Sequence, residues 1–161
     1  MQPTIPDPNK PYAYISGPLS AMSEDLRSKL RAFYEEIGSC CYDASLPAYV
    51  PHLLSDPTKN AGLSPRKVYD MDRRAVVGSR LLVAYVGITS LGVGAEIEMA
   101  CQRNIPVVLV YEQDLPPDRR VSRLTRGSPN VVKELLFPEG QPMTVLPQLS
   151  DFLVRFMHDL R

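Results

Sequence analysis

The sequence predicts an α/β fold: a doubly wound, mostly parallel five-stranded sheet with helices on both faces. Two observations predict it. Residues 80–86, after the leading Arg80, and 105–111 are unbroken apolar runs, and a strand reads this way when both its faces are buried, as in the middle of a parallel sheet. Three shorter strand-like runs and several segments of helical spacing alternate with them, and strands alternating with helices close into parallel βαβ units. The 161 residues suit one domain, 1–161, with one core.

In chain order, residues 12–16 read as the first strand, ended by the breaker pair Gly17-Pro18. Ser23, followed by Glu24 and Asp25, is a helix N-cap with acids in the first turn. Leu26, Leu30, Phe33 and Ile37 recur at helical spacing, and Gly38 is placed as the C-cap. Residues 39–42 then make a short second strand. Residues 43–63, rich in Pro, Asp, Ser and Asn, form a long loop of the kind that often carries function. Ser64-Pro65 opens a helix, with Ser as N-cap and Pro at the first helical position, and Val68, Met71, Ala75 and Val76 line one face of it. Residues 80–86 are the central strand, 87–94 a loop, 95–103 a helix and 105–111 another buried strand. A polar, basic stretch at 116–129 holds a loop with a short helix, 131–137 an edge strand, and 146–160 an amphipathic helix with Leu149, Leu153, Phe156 and Leu160 inward.

Composition excludes several classes of function. Eighteen Lys and Arg balance eighteen Asp and Glu, so there is no electrostatic footprint for a nucleic-acid polymer or an anionic membrane. No apolar run approaches the roughly 20 residues that span a bilayer. The first residues carry neither a basic stretch nor an apolar one, so no secretion signal is expected. Cys40, Cys41 and Cys101 lack metal-ligand spacing and read as small buried residues. With only His52 and His158 besides, no metal site is expected, and a reducing cytoplasm is.

The chemistry concentrates in Thr89-Ser-Leu-Gly-Val-Gly-Ala-Glu96, which leaves a buried strand and enters a helix. Gly92 and Gly94 either make a tight turn or let the backbone come close to a ligand. Free N–H groups at the helix start could hold an anion, with the Ser90 hydroxyl as a further donor. Glu96 falls in the first helical turn, where the dipole favours its ionised form, as suits a carboxylate nucleophile. Asp72, on the preceding helix beside the apolar stripe, is either a solvated flank or a site acid, with Asp70 nearby. Two carboxylates close together are the equipment for glycosidic cleavage. In a parallel sheet the ligand lies beyond the carboxyl ends of the strands, where residues 17–20, 43–63 and 87–96 meet. Tyr14 could border the base or belong to the core. His52, in the long loop, could line the base pocket or lie on the surface.

Asp72, then Arg80-Leu-Leu-Val-Ala-Tyr-Val86, then Thr89-Ser-Leu-Gly-Val-Gly-Ala-Glu96 and Ala100 together resemble the nucleoside 2-deoxyribosyltransferase superfamily, and within it most the 2'-deoxynucleoside 5'-monophosphate N-hydrolases. Tyr14-Ile-Ser-Gly17-Pro18-Leu19 resembles that superfamily's first strand and loop. Ser122-Arg-Leu-Thr-Arg126-Gly127 resembles a downstream element. The likeness runs from Tyr12 to the C-terminal helix and implies a Rossmann-like (flavodoxin-like) fold. It also implies roles: Glu96 attacks C1' of the sugar, Asp72 contacts the sugar hydroxyls and assists the leaving base, and Ser90 holds the 5'-phosphate. Gly17 lies on the sugar and phosphate side. Ser122 reaches the phosphate of a neighbouring subunit's substrate, hence a homodimer or higher homo-oligomer.

The implied reaction is hydrolysis of a (deoxy)nucleoside 5'-monophosphate into base and sugar 5-phosphate through a Glu-linked glycosyl intermediate, with no metal or redox cofactor and a small-molecule nucleotide or nucleoside as partner. A base-exchanging deoxyribosyltransferase and a non-catalytic nucleotide-binding module are the alternatives. Where the hydrolases carry Gly-Ser-Ile-Arg, this chain has Gly17-Pro18-Leu19-Ser20. Ser20 stands in the place of a phosphate-binding arginine, and Arg123 or Arg126 would have to compensate.

Overall fold

The structure, a computed structural model, describes residues 7, 9–20, 22–55 and 62–160. Its elements in chain order are β1 (Ala13–Ser16), α1 (Glu24–Asp43), β2 (Ala48–Tyr49), α2 (His52–Ser55), α3 (Pro65–Gly78), β3 (Leu81–Tyr85), α4 (Leu91–Cys101), β4 (Val107–Glu112), a 3₁₀ turn at Pro117–Arg119, α5 (Arg123–Arg126), β5 (Val131–Phe137), a second 3₁₀ turn at Pro142–Val145, and α6 (Leu146–Asp159). The five strands pair in the order β2-β1-β3-β4-β5, and every pairing is parallel. The expected doubly wound sheet is therefore present, and it is wholly parallel.

The two-residue period of the strands sorts the core into two layers. Ala13, Ile15, Leu81, Val83, Val108 and Val110 face one side and pack against Phe33, Ile37, Leu149 and Leu153 of α1 and α6. Tyr12, Tyr14, Leu82, Ala84, Val107 and Leu109 face the other and pack against Ala75, Val76, Val93 and Ile97 of α3 and α4. Strand order reverses between β1 and β3, so the loops that follow these two strands diverge and leave a crevice at their carboxyl ends.

Several expectations are corrected. Residues 39–42 are not a strand but the last turn of α1, because the apolar stripe continues from Ile37 to the buried Cys41. Gly38 is a buried interior position of that helix, not its cap. The helix ends in a Schellman arrangement: Ser45, at φ 64°, donates its N–H to Tyr42 O, and Leu46 N donates to Cys41 O. The second strand is Ala48–Tyr49, inside the expected loop. The remainder of that loop holds α2, and residues 56–61 lie outside the described residues. Residues 87–94 are loop only as far as Ser90. The Ser90 hydroxyl oxygen accepts from Val93 N at 3.4 Å, so α4 begins at Leu91 and takes in both Gly92 and Gly94. Burial of Val93 and Ile97 offsets the roughly 1 kcal/mol that each helical glycine costs. Of the cysteines, Cys41 is buried, Cys40 and Cys101 are half-buried, and all three are free. Among the described residues no helix is long and apolar enough to cross a membrane.

Candidate active site

A cavity of about 680 Å³ opens at the switch between β1 and β3, within the range that holds a small organic ligand. Gly17, Pro18, Leu19 and Ser20 form its wall after β1. Pro51 and His52 form a second side, Leu63, Pro65, Val68, Tyr69 and Asp72 a third, and Ser90, Gly92, Val93, Ala95, Glu96 and Met99 of the α4 region the floor. Of the ten residues singled out from the sequence, seven line this cavity: Gly17, Ser20, His52, Asp72, Ser90, Gly92 and Glu96. Tyr14, Gly94 and Ser122 do not.

Glu96 is placed by helical spacing. Val93, Ile97 and Ala100 hold α4 against the sheet, and Glu96, next to Ile97, is turned toward the end of β1. There Tyr14 and Ser16, two apart on one strand face, reach it together. The Tyr14 hydroxyl donates to Oε1 at 2.7 Å and the Ser16 hydroxyl donates to Oε2. Each carboxylate oxygen thus has its own donor. Burial nevertheless pushes the Glu96 carboxyl up to about 7; the two hydroxyls pull it down and the neighbouring Asp72 charge pushes it up again. The expected cause of ionisation is therefore corrected. Glu96 is the sixth residue of the helix, past the first turn where the dipole acts, and burial dominates.

Asp72 projects from α3 into the same cavity. Burial raises it to about 6, and its Oδ1 is buried without a hydrogen-bond partner among the described residues. An unpaired buried acceptor costs free energy unless a ligand supplies a donor. Asp70, by contrast, is held by Arg66 at 2.9 Å on the outer face and does not line the cavity.

The structure reassigns Tyr14. Its ring is fully buried and stacks on Tyr49, with centroids 5.4 Å apart and planes 11° from parallel. It does not line the cavity, and its hydroxyl reaches Glu96 instead. Its phenol is raised well above the ordinary tyrosine value, first by burial and then by the Glu96 and Asp72 charges, so it remains a hydrogen-bond donor. Tyr69, half exposed, is the tyrosine that lines the cavity wall.

His52 is buried, not a surface histidine. Its Nε2 lies 2.9 Å from Glu35 Oε1, and its ring sits 6.2 Å from that of Tyr34. Gly17 is required by close packing: a Cβ there would fall 2.2 Å from the Tyr34 ring, whose hydroxyl donates to Pro18 O at 3.1 Å. Gly94 and Ser122 line a separate small cavity beside the first. Arg126 is committed to Glu134 at 2.9 Å. Ser16 and Tyr69 were not singled out from the sequence. For Ser16 the signal was its two-residue spacing from Tyr14.

Among the described residues no cluster of His, Cys, Asp and Glu could hold a metal ion. No family model matches the chain, and no curated protein does. Solved structures share its fold. A conserved protein from Enterococcus faecalis V583 is 21% identical, with a TM-score of 0.64 over 88% of this chain and 98% of that one. A CMP N-glycosidase, BcmB, from Clostridium botulinum is 16% identical, with a TM-score of 0.61 over 88% and 98%. A 2-deoxyribosyltransferase from Bacillus psychrosaccharolyticus is 14% identical, with a TM-score of 0.62 over 91% and 95%. At these identities the likeness is one of fold.

Proposed function

We propose that this protein is an enzyme that hydrolyses the N-glycosidic bond of a (deoxy)nucleoside 5'-monophosphate, releasing the base and the sugar 5-phosphate. The observation that carries the reading is the pair of half-buried carboxylates in one cavity, with Glu96 held at both oxygens by the Tyr14 and Ser16 hydroxyls. Fixed donors leave the carboxylate little rotational freedom, so it is oriented before substrate arrives. Positive charge developing at C1' in an oxocarbenium-like state then favours its ionised form. Glu96 bonds to C1' as the C1'–N bond breaks and its electron pair leaves with the base. Water next attacks C1', restoring the carboxylate and releasing the sugar with net retention. Asp72 accepts from the sugar hydroxyls at its unpartnered oxygen. With its carboxyl near 6 it exchanges protons readily near neutrality, as proton traffic with the departing base requires.

The fold shared with a CMP N-glycosidase and a 2-deoxyribosyltransferase supports N-glycosyl chemistry as the class. Assembly into a homodimer or larger oligomer belongs to the same reading, and light scattering on the purified chain measures it. The test of function is chromatography of free base released from a panel of ribo- and deoxyribonucleoside monophosphates and their nucleosides, with wild type and Glu96→Ala. Release from monophosphates, lost in the variant, is the expected result. Release only when an acceptor base is added moves the protein to the transferase side. Ligand binding without any release leaves a binding module and removes the enzyme.

A further inference from the structure

The cavity that holds Glu96 and Asp72 lies at the carboxyl ends of the strands. Another cavity, of about 350 Å³, lies at the opposite ends. Its described lining includes Pro11, Arg80 and Ile105, just before β1, β3 and β4, and Val77 and Arg103, at the ends of α3 and α4. Lys10 completes a set of three cations from three separate segments. Parallel pairing fixes these segments against one another: Arg80 N donates to Tyr12 O at 2.8 Å and Leu82 N to Pro106 O at 3.0 Å. The Tyr12 hydroxyl donates to Ala75 O at 2.7 Å and ties α3 to the same corner. No described Asp or Glu lines the cavity, and residues 1–6 and 8 contain none. Asp7 accepts from the N–H and the Nδ2 of Asn9, at 2.9 and 3.1 Å. The side chains of Lys10, Arg80 and Arg103 are exposed and make no ion pair or hydrogen bond among the described residues. The ends of α3 and α4 bring roughly half a negative charge each. They offset about one of the three positive charges and leave about two. Cations gathered around one concavity repel one another until an anion enters, and guanidinium forks match phosphate oxygens. A volume of about 350 Å³ suits a small organic ligand rather than a bare phosphate, and Pro11, Val77 and Ile105 give it an apolar side.

We propose that this cavity binds an organic polyphosphate of the nucleoside triphosphate class, with its phosphate chain on Lys10, Arg80 and Arg103 and its nucleoside against Pro11, Val77 and Ile105. The site is separate from the one that holds Glu96 and Asp72, and the proposal does not rest on the N-glycosidase reading.

Calorimetric titration of the full chain with ATP, with tripolyphosphate and with adenosine, in buffer free of divalent metal, tests this. ATP is expected to bind, tripolyphosphate to bind more weakly because the apolar side stays empty, and adenosine to bind more weakly still. Arg80→Ala and Arg103→Ala are each expected to weaken ATP binding about tenfold. Arg155→Ala removes an exposed cation of α6 outside the cavity and is expected to leave the affinity unchanged. Arg80 and Arg103 are exposed, so loss of fold does not complicate the comparison. Failure of wild type to bind ATP, adenosine binding as tightly as ATP, or an affinity indifferent to Arg80 and Arg103 overturns the proposal. So does an equal loss in Arg155→Ala, which would mean diffuse attraction and no site.

Discussion

Two tyrosine–glutamate pairs in this molecule use the same chemistry and reach opposite ends. At the β1–α4 contact, Tyr14 donates to Glu96, which is half-buried, has no cation beside it among the described residues and faces a second carboxylate. Its carboxyl rises to about 7. At the β4–β5 contact, Tyr111 donates to Glu134. Burial pushes Glu134 up too, but hydrogen bonds from Tyr111 and from Arg126 outweigh it and hold the carboxylate below its ordinary value. A hydroxyl donor therefore does not decide whether a carboxylate is reactive or structural. What decides is whether a cation neutralises it and whether the surroundings are dry. Glu134 is a settled anion at a sheet edge, whereas Glu96 is held near its titration point, where a group can switch charge during a reaction.

The largest expected effect comes from removing the charge that makes the first pair unsettled. Glu96→Gln should lower base release on the order of 10³-fold or more, since no nucleophile remains. The same change should raise stability at alkaline pH. The folded chain keeps a proton on Glu96 up to about 7, while the unfolded chain releases it near the ordinary 4.5. Stability therefore falls as pH rises from about 4.5 and levels off above about 7, a loss of roughly 3 kcal/mol for this group. Urea unfolding at pH 5 and pH 8 should show the variant close to wild type at the lower pH and more stable at the higher. A variant that is inactive and also destabilised at pH 8 would mean that Glu96 is a structural carboxylate like Glu134.

Next in size are the two neighbours that tune Glu96, and they should pull in opposite directions. The rate should rise with pH through about 7 as Glu96 ionises. Asp72→Asn should cost on the order of 10²-fold in kcat/KM and move that rise to lower pH, because the charge that opposes Glu96 ionisation is gone. Tyr14→Phe should cost about tenfold and move the rise to higher pH, because a donor to the anion is gone. Shifts of the same sign in both variants would break the comparison. A smaller effect belongs to Tyr69: if it is the base-stacking wall, Tyr69→Ala should raise KM about tenfold with little change in kcat.

The same contrast explains what was legible in the sequence. The unbroken runs at 80–86 and 105–111 located the central strands because burial on both faces leaves no room for polar residues. The amphipathic C-terminal helix was equally plain. The end of α1 was not, because its left-handed residue is Ser45 rather than a glycine, and β2 is only two residues long. Glu96 and Asp72 stood out by motif. The reason Glu96 titrates near neutrality did not, since Tyr14 and Ser16 lie eighty or more positions away and burial is a property of the packed molecule. His52 and Glu35 are likewise seventeen apart, at no spacing that a single helix or strand would join.

The smallest effect is the control for the second pair. Arg126→Ala should leave base release within about twofold of wild type, because Arg126 lies outside both cavities and its partner Glu134 does no chemistry. The ion pair is partly exposed, so its loss should cost less than about 1 kcal/mol in urea unfolding. The Glu134 carboxyl should rise toward the ordinary range as one of its two donors disappears, a change that NMR titration of the side chain can follow. A large fall in activity would give Arg126 the phosphate-binding role that the sequence reading offered it. A large fall in stability with normal activity would show that the β4–β5 edge depends on the ion pair and not on the Tyr111 hydrogen bond.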